Sequence, residues 1–152
     1  MKQHIIATKA AVAVLFVLCV LMTVFGVSIS QSFLSHLNPD GIHVSEEMSF
    51  WLLLVLGYGC SAALLRLLWV MWTFLKEMEA GHVFEESNVR MLKEMADCCG
   101  LAVLLTAAIG LLYTPMLFLV TAAAGFMCLI IRVIRDAFAK AVLMKDELDL
   151  TI

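Results

Sequence analysis

Polar and apolar positions fall into blocks along this chain rather than alternating. Four stretches carry almost no charge: Ala10–Ser28, Phe50–Phe74, Cys98–Tyr113 and Met116–Ile134. A helix rises about 1.5 Å per residue, so about 20 apolar residues cover a hydrocarbon core of about 30 Å. A lipid-exposed crossing must satisfy its own backbone hydrogen bonds, which makes these stretches helices. With their flanks, the spans are expected at roughly 10–30, 50–74, 97–113 and 116–136, followed by a tail over 137–152. The expected fold class is all-α: a four-helix transmembrane bundle, one integral membrane domain over 1–152.

The pattern changes between the spans. Asn38-Pro39-Asp40-Gly41 is a strong turn signal in the first connection. Gly81 breaks the second helix, and Ser87 or Asn88 can cap a new one. Val89, Leu92, Met95 and Ala96 then recur at helical spacing, while Arg90, Lys93 and Glu94 face elsewhere. This predicts a short amphipathic helix between spans two and three on the inner membrane surface, or else the start of span three itself. The Tyr113-Thr114-Pro115 turn is so short that spans three and four must be antiparallel neighbours. After Ile134 the helical spacing continues, with Phe138, Ala141 and Val142 on one face and Arg135, Asp136 and Lys140 on others.

Composition agrees with the pattern. Hydrophobic residues make up 63% of the chain and mean hydropathy is +1.01, against about 45–50% apolar residues in soluble domains. Net charge is only -3, and its placement says more. Lys2 and Lys9 precede the first span, and Lys76, Arg90 and Lys93 lie between the second and third. Arg132, Arg135, Lys140 and Lys145 lie at or beyond the end of the fourth. The connection from Gln31 to Ser49 has no Lys or Arg. Basic residues stay on the cytoplasmic side, so both termini are expected inside, in the plasma membrane. The first span also fits a signal peptide, with Ser28 and Ser30 as small residues at the cleavage position. Its apolar run is long beside an h-region of about 7–15 residues, which favours a retained span.

Chemistry-bearing candidates are few. Arg66 is the formal charge well inside a span, and such an Arg costs about 2.5–3.5 kcal/mol at a helix centre. The neighbouring leucines, each worth about 0.3–0.6 kcal/mol, let the span insert regardless. Small residues on its face, such as Gly59, Ala62 and Ala63, direct it towards other helices. Asp97 opens span three at the inner edge, and a snorkelling Arg66 could pair with it. The alternatives are a coupling residue for an ion or substrate and an Arg that only fixes helix depth. Gly57 and Ser61, Gly59 and Ala63, and Thr121 and Gly125 have small-xxx-small spacing, read as ordinary helix packing. His36, Asp40, His43, Glu46 and Glu47 hold metal-type donors in a spacing that fits no ligand pattern. None of the five cysteines lies in an outer loop and no Cys-x-x-Cys occurs, so neither a disulfide framework nor a zinc site is expected. No Gly-x-Ser-x-Gly, His-Glu-x-x-His or Gly-Lys-Ser/Thr signature is present. The expectation is a protein that is not an enzyme, uses no cofactor and binds no nucleic acid directly.

Two segments do resemble a known family. Phe84-Glu85-Glu86-Ser87-Asn88-Val89-Arg90-Met91-Leu92-Lys93 resembles the middle loop of small bacterial four-span proteins, domain of unknown function 2975. The ending Lys145-Asp146-Glu147-Leu148-Asp149-Leu150-Thr151-Ile152 resembles that family's acidic finish, with Leu148 where Asn is expected. The resemblance implies four spans and carries no activity or site residues. It does imply a genomic neighbour, a small helix-turn-helix regulator, as a cytoplasmic partner. Two function classes follow. In one, the protein is a regulatory or sensory membrane partner of a cytoplasmic protein, docking through a tail that includes Asp146, Glu147, Asp149 and Leu150. In the other, it is a small transporter or channel, a homo-oligomer with Arg66 in the pathway.

Overall fold

The structure, a computed structural model, describes residues 2–36, 46–81, 85–113 and 115–150, and the side chains of 5–32, 47–81, 85–113 and 115–148. The helices are α1 (Lys2–Val24), α2 (Gly26–His36), α3 (Glu46–Ala80), α4 (Glu86–Leu112) and α5 (Leu117–Leu150). Of these, α1, α3, α4 and α5 are long and apolar enough to cross a membrane. The fold is all-α and the chain is a multi-pass membrane protein.

The helices outrun the expected spans. α3 has 35 residues and α5 has 34. A helix extends cheaply once nucleated, and the flanks 76–80 and 136–150 hold no Gly or Pro to stop it. α3 ends where Gly81 adopts φ +90° and donates its N–H to Met78 O at 3.3 Å, a left-handed cap that suits glycine. The first expected span, 10–30, is divided at Phe25. The hydrogen bonds Phe25 N–H to Leu21 O and Ile29 N–H to Phe25 O, both 2.9 Å, carry the ladder past the break. The next residue is Gly26, which lets Tyr58 of α3 approach: a Cβ there would lie 3.4 Å from the Tyr58 hydroxyl.

One expectation needs correction. The amphipathic segment Ser87–Met95 is not a separate helix between spans two and three, because α4 runs unbroken from Glu86 to Leu112. It is the start of span three, the other of the two readings. Nothing between Met95 and Leu101 breaks the helix, since Gly100 alone costs only about 1 kcal/mol. The cap also shifts. Glu85, extended at φ -129°, is the N-cap, while Asn88 is fully buried and donates its N–H to Glu85 O at 3.0 Å. The short helix between two spans is α2, which joins the first span to the second.

The helices pack in sequence order: α1 and α2 on α3, α3 on α4, and α4 on α5. Among the described residues, the backbone of α1 approaches neither α4 nor α5. The arrangement is therefore a row that curls rather than a closed square. The curl brings α5 onto α3 at one end, where the Phe74 and Phe138 rings stand 6.2 Å apart. Val70, Leu92 and Met95 form a buried cluster there, flanked by Met71, Phe74, Met91, Ile131 and Phe138. At the opposite end the Tyr113 hydroxyl donates to Ser49 O at 2.5 Å, fixing the α4–α5 turn to the start of α3.

The α4–α5 hairpin is the tightest seam. Gly110 brings the chains together, since a Cβ on it would lie 3.6 Å from Leu117 Cβ. Thr121 Oγ1 donates to Thr106 Oγ1 at 3.3 Å. Further along, Cys99 Sγ donates to Ala124 O at 3.4 Å and Cys128 Sγ to Ala96 O at 3.5 Å. Water cannot satisfy polar groups in the hydrocarbon, so these reciprocal contacts serve both the thiols and the helix seam.

Candidate functional site

The polar side chains that face one another collect towards the end where α1 begins and α5 finishes. Lys9 of α1 pairs with Glu79 of α3 and also stands 5.9 Å from the Trp72 ring centroid. This joins the start of the first helix to the finish of the third. Arg135 donates through Nε at 3.0 Å and through a terminal nitrogen at 2.6 Å to Asp136 Oδ1, a contact between chain neighbours.

Arg66 reaches across the α3–α4 seam to Glu94, with Nε donating to Oε1 at 2.7 Å and a terminal nitrogen close to the same oxygen. The expected partner, Asp97, lies one turn further along α4 and is exposed. The correction follows from helix rotation. Counted from the turn at Gly81, residues 94 and 97 straddle the position opposite residue 66. Spacing alone cannot choose between them, and the rotation of α4 turns Glu94 to the seam. At about 1.5 Å per residue, Arg66 lies about 25 Å along the axis from Ser49, and Glu94 about 28 Å from Tyr113. The pair thus sits towards one boundary of a core about 30 Å thick, rather than at its centre. Side-chain exposure is 58% for Arg66 and 40% for Glu94, so the pair lies on the outside of the row.

The expected docking tail continues α5 as helix to Leu150. Asp146 and Glu147 are exposed, while the side chains of Asp149 and Leu150 lie outside the described residues. Leu150 was the one apolar residue in that expectation, and others precede it. Leu143, Met144 and Leu148 are 63%, 60% and 67% exposed, and Met144 and Leu148 share a face at i, i+4. Val142 just before them is buried at 6% and marks where packing on the row ends. The signal was present in the sequence as the continued apolar spacing after Phe138, but exposure depends on how far α5 overshoots α4.

The remaining candidates separate. Asp40 and His43 lie outside the described residues, as do the side chains of His36 and Glu46. Among the described residues no three His, Cys, Asp or Glu side chains gather as a metal site. Gly59 packs under Leu105 of α4, with a would-be Cβ 3.3 Å from Leu105 Cδ1, and Ala63 is buried beside it. Gly57 and Gly125 face open space. A cavity of about 170 Å³ lies between α1, α2 and α3, lined by Thr23, Ser30, Gly57, Tyr58 and Ser61 among others. It is an apolar recess edged with hydroxyls.

Compared with known proteins, residues 37–152 match a family model described as a protein of unknown function (DUF2975). No curated protein and no solved structure matches the chain.

Proposed function

The chain belongs to the DUF2975 family, and from that premise we propose that it is a regulatory or sensory membrane partner of a cytoplasmic protein. The observation that carries this reading is the end of α5. Eight helical residues beyond Val142, 143–150, run past the packed row and carry Leu143, Met144 and Leu148 exposed among acidic neighbours. An amphipathic helix with apolar side chains at i and i+4 is a ready ligand for a groove on another protein. Both termini and the 82–85 connection face the cytoplasm, in keeping with the basic residues at that end. The protein lies in the plasma membrane. The family resemblance makes a small helix-turn-helix regulator the first partner to test.

The test is truncation after Met144 in native membranes, followed by purification in mild detergent. Loss of a stoichiometric cytoplasmic partner, with the membrane domain still folded, is the expected result. Unchanged partner capture and phenotype would remove the reading's main support. The other reading, an oligomeric transporter with Arg66 in its route, draws support from a charge near the membrane boundary. Arg66 faces outward and already holds Glu94, so a route using it would have to run between chains. Arg66→Ala should then abolish flux in reconstituted vesicles.

A further inference from the structure

Two thiols meet inside the α4–α5 seam. Cys99 reaches across to Ala124 O, and Cys128 reaches back to Ala96 O. These crossed contacts bring both sulfurs into one gap, within hydrogen-bonding reach of each other. The gap is narrow, since a Cβ on Gly100 would lie 4.0 Å from Cys128 Sγ. Cys99 and Cys128 are 7% and 8% exposed, and Met95, one turn before Cys99 on the same face of α4, is 5% exposed. Met71 and Met91 pack against the cluster that holds Met95. Met91, Met95 and Cys99 thus place a sulfur-bearing side chain about every 6 Å, from the start of α4 inward to the thiol pair.

Either cysteine alone would be one more small buried side chain. Two thiols tip to tip, with a thioether one turn away, are a set of soft donors. Spacing, donor count and depth decide what such a set takes. A metal–sulfur bond is about 2.3 Å, so two sulfurs on one ion stand about 4–4.6 Å apart, close to the separation of thiols in contact. A disulfide, at about 2.05 Å, would have to draw the two helices closer. Structural Zn(II) sites close with four ligands, and no third His, Cys, Asp or Glu joins this pair among the described residues. Hard cations need several oxygen ligands and bound water. Cys99 lies about 21 Å along α4 from Tyr113, inside a core about 30 Å thick, where such water is scarce. Thiolate and thioether sulfur select Cu(I), which two or three such donors satisfy.

We propose that Cys99 and Cys128, with the Met95 thioether as third donor, form a binding site for a soft monovalent cation, Cu(I). Each thiol gives up its proton to solvent and supplies the electron pair of its new bond to the ion. One ion therefore releases two protons, and the copper stays Cu(I) throughout. The loaded site carries one negative charge, and Arg132 stands one turn beyond Cys128 on α5 to offset it. Met91 marks the way in from the end where α4 begins. No residue of the α5 tail beyond Val142 takes part, so this proposal stands or falls apart from the docking reading.

The experiment titrates the full chain in mild detergent, without oxygen, with Cu(I) held by the coloured chelator bicinchoninate. The unmodified chain should take one Cu(I) from the chelator and release two protons. A variant that keeps only Cys99 and Cys128, with Cys19, Cys60 and Cys98 changed to Ala, should bind the same single ion. Cys99→Ala and Cys128→Ala should each lose it, with helix content checked by circular dichroism. X-ray absorption should show a shell of three sulfurs at about 2.3 Å. Met95→Leu, which keeps the packed volume, should reduce that shell to two sulfurs and weaken binding. No uptake by the unmodified chain or by the variant with only Cys99 and Cys128 would overturn the proposal. Uptake that survives loss of both thiols, or displacement of Cu(I) by equimolar Zn(II), would overturn it as well.

Discussion

Arg66 joins α3 to α4 through Glu94, and the value of that contact depends on where it lies. Near the boundary of the hydrocarbon, removing the guanidinium leaves a carboxylate with less water to turn to. Arg66→Ala is expected to lower stability in bicelles by about 1–2 kcal/mol, the scale of an interhelical polar contact in a membrane. Asp97→Ala should change it by no more than about 0.5 kcal/mol, as for an exposed residue without a packed role. Unfolding titrations on the two variants check this, and equal losses would return the partnership to Asp97. The charge inside the span was plain in the sequence, because insertion energetics single out one Arg among leucines. Its partner was not, because two acids one turn apart differ only in the rotation of α4. Tyr113→Phe should cost about 1 kcal/mol by removing the 2.5 Å bond to Ser49 O, read as a lower melting temperature. That contact joins residues far apart in sequence, and no local pattern announces it.

Along an element, two glycines in α3 do different work despite similar surroundings in the sequence. Gly59 lies against Leu105, and its would-be Cβ is already 3.3 Å from that side chain. Gly59→Val should therefore push α3 from α4 and destabilise by about 1–3 kcal/mol, the cost of overpacking. Gly57 has nothing within 4 Å, so Gly57→Ala should be neutral or gain up to about 1 kcal/mol of helix propensity. Thermal denaturation of both variants in one detergent makes the comparison. The small-xxx-small spacing showed that α3 packs on helices without saying which of its small residues does so. Element ends were also only partly legible. Gly81 marked the end of α3 because a positive φ suits glycine. The break at Phe25 and the early start of α4 at Glu86 depend on neighbours such as Tyr58 and on the absence of any stop before Leu101.

For the whole molecule, the arrangement of basic residues makes a prediction that a reporter can read. Fusions after Ile152 and within 82–84 should report the cytoplasmic side, and fusions within 37–45 the opposite side. A reporter after Ile152 facing outward would end the docking reading, since the α5 tail could not meet a cytoplasmic protein. The sequence by itself determined that four helices cross the membrane, because a hydrocarbon solvent rejects unpaired backbone and charge within any single segment. It also determined that the last two crossings are antiparallel neighbours, because a three-residue turn reaches no further. Only the tertiary structure decided that the helices form a curled row and that Glu94 takes Arg66. Hydropathy is a property of each segment against lipid and carries no term for which apolar face meets which. Those choices belong to side-chain fit and helix rotation, which arise when distant segments meet.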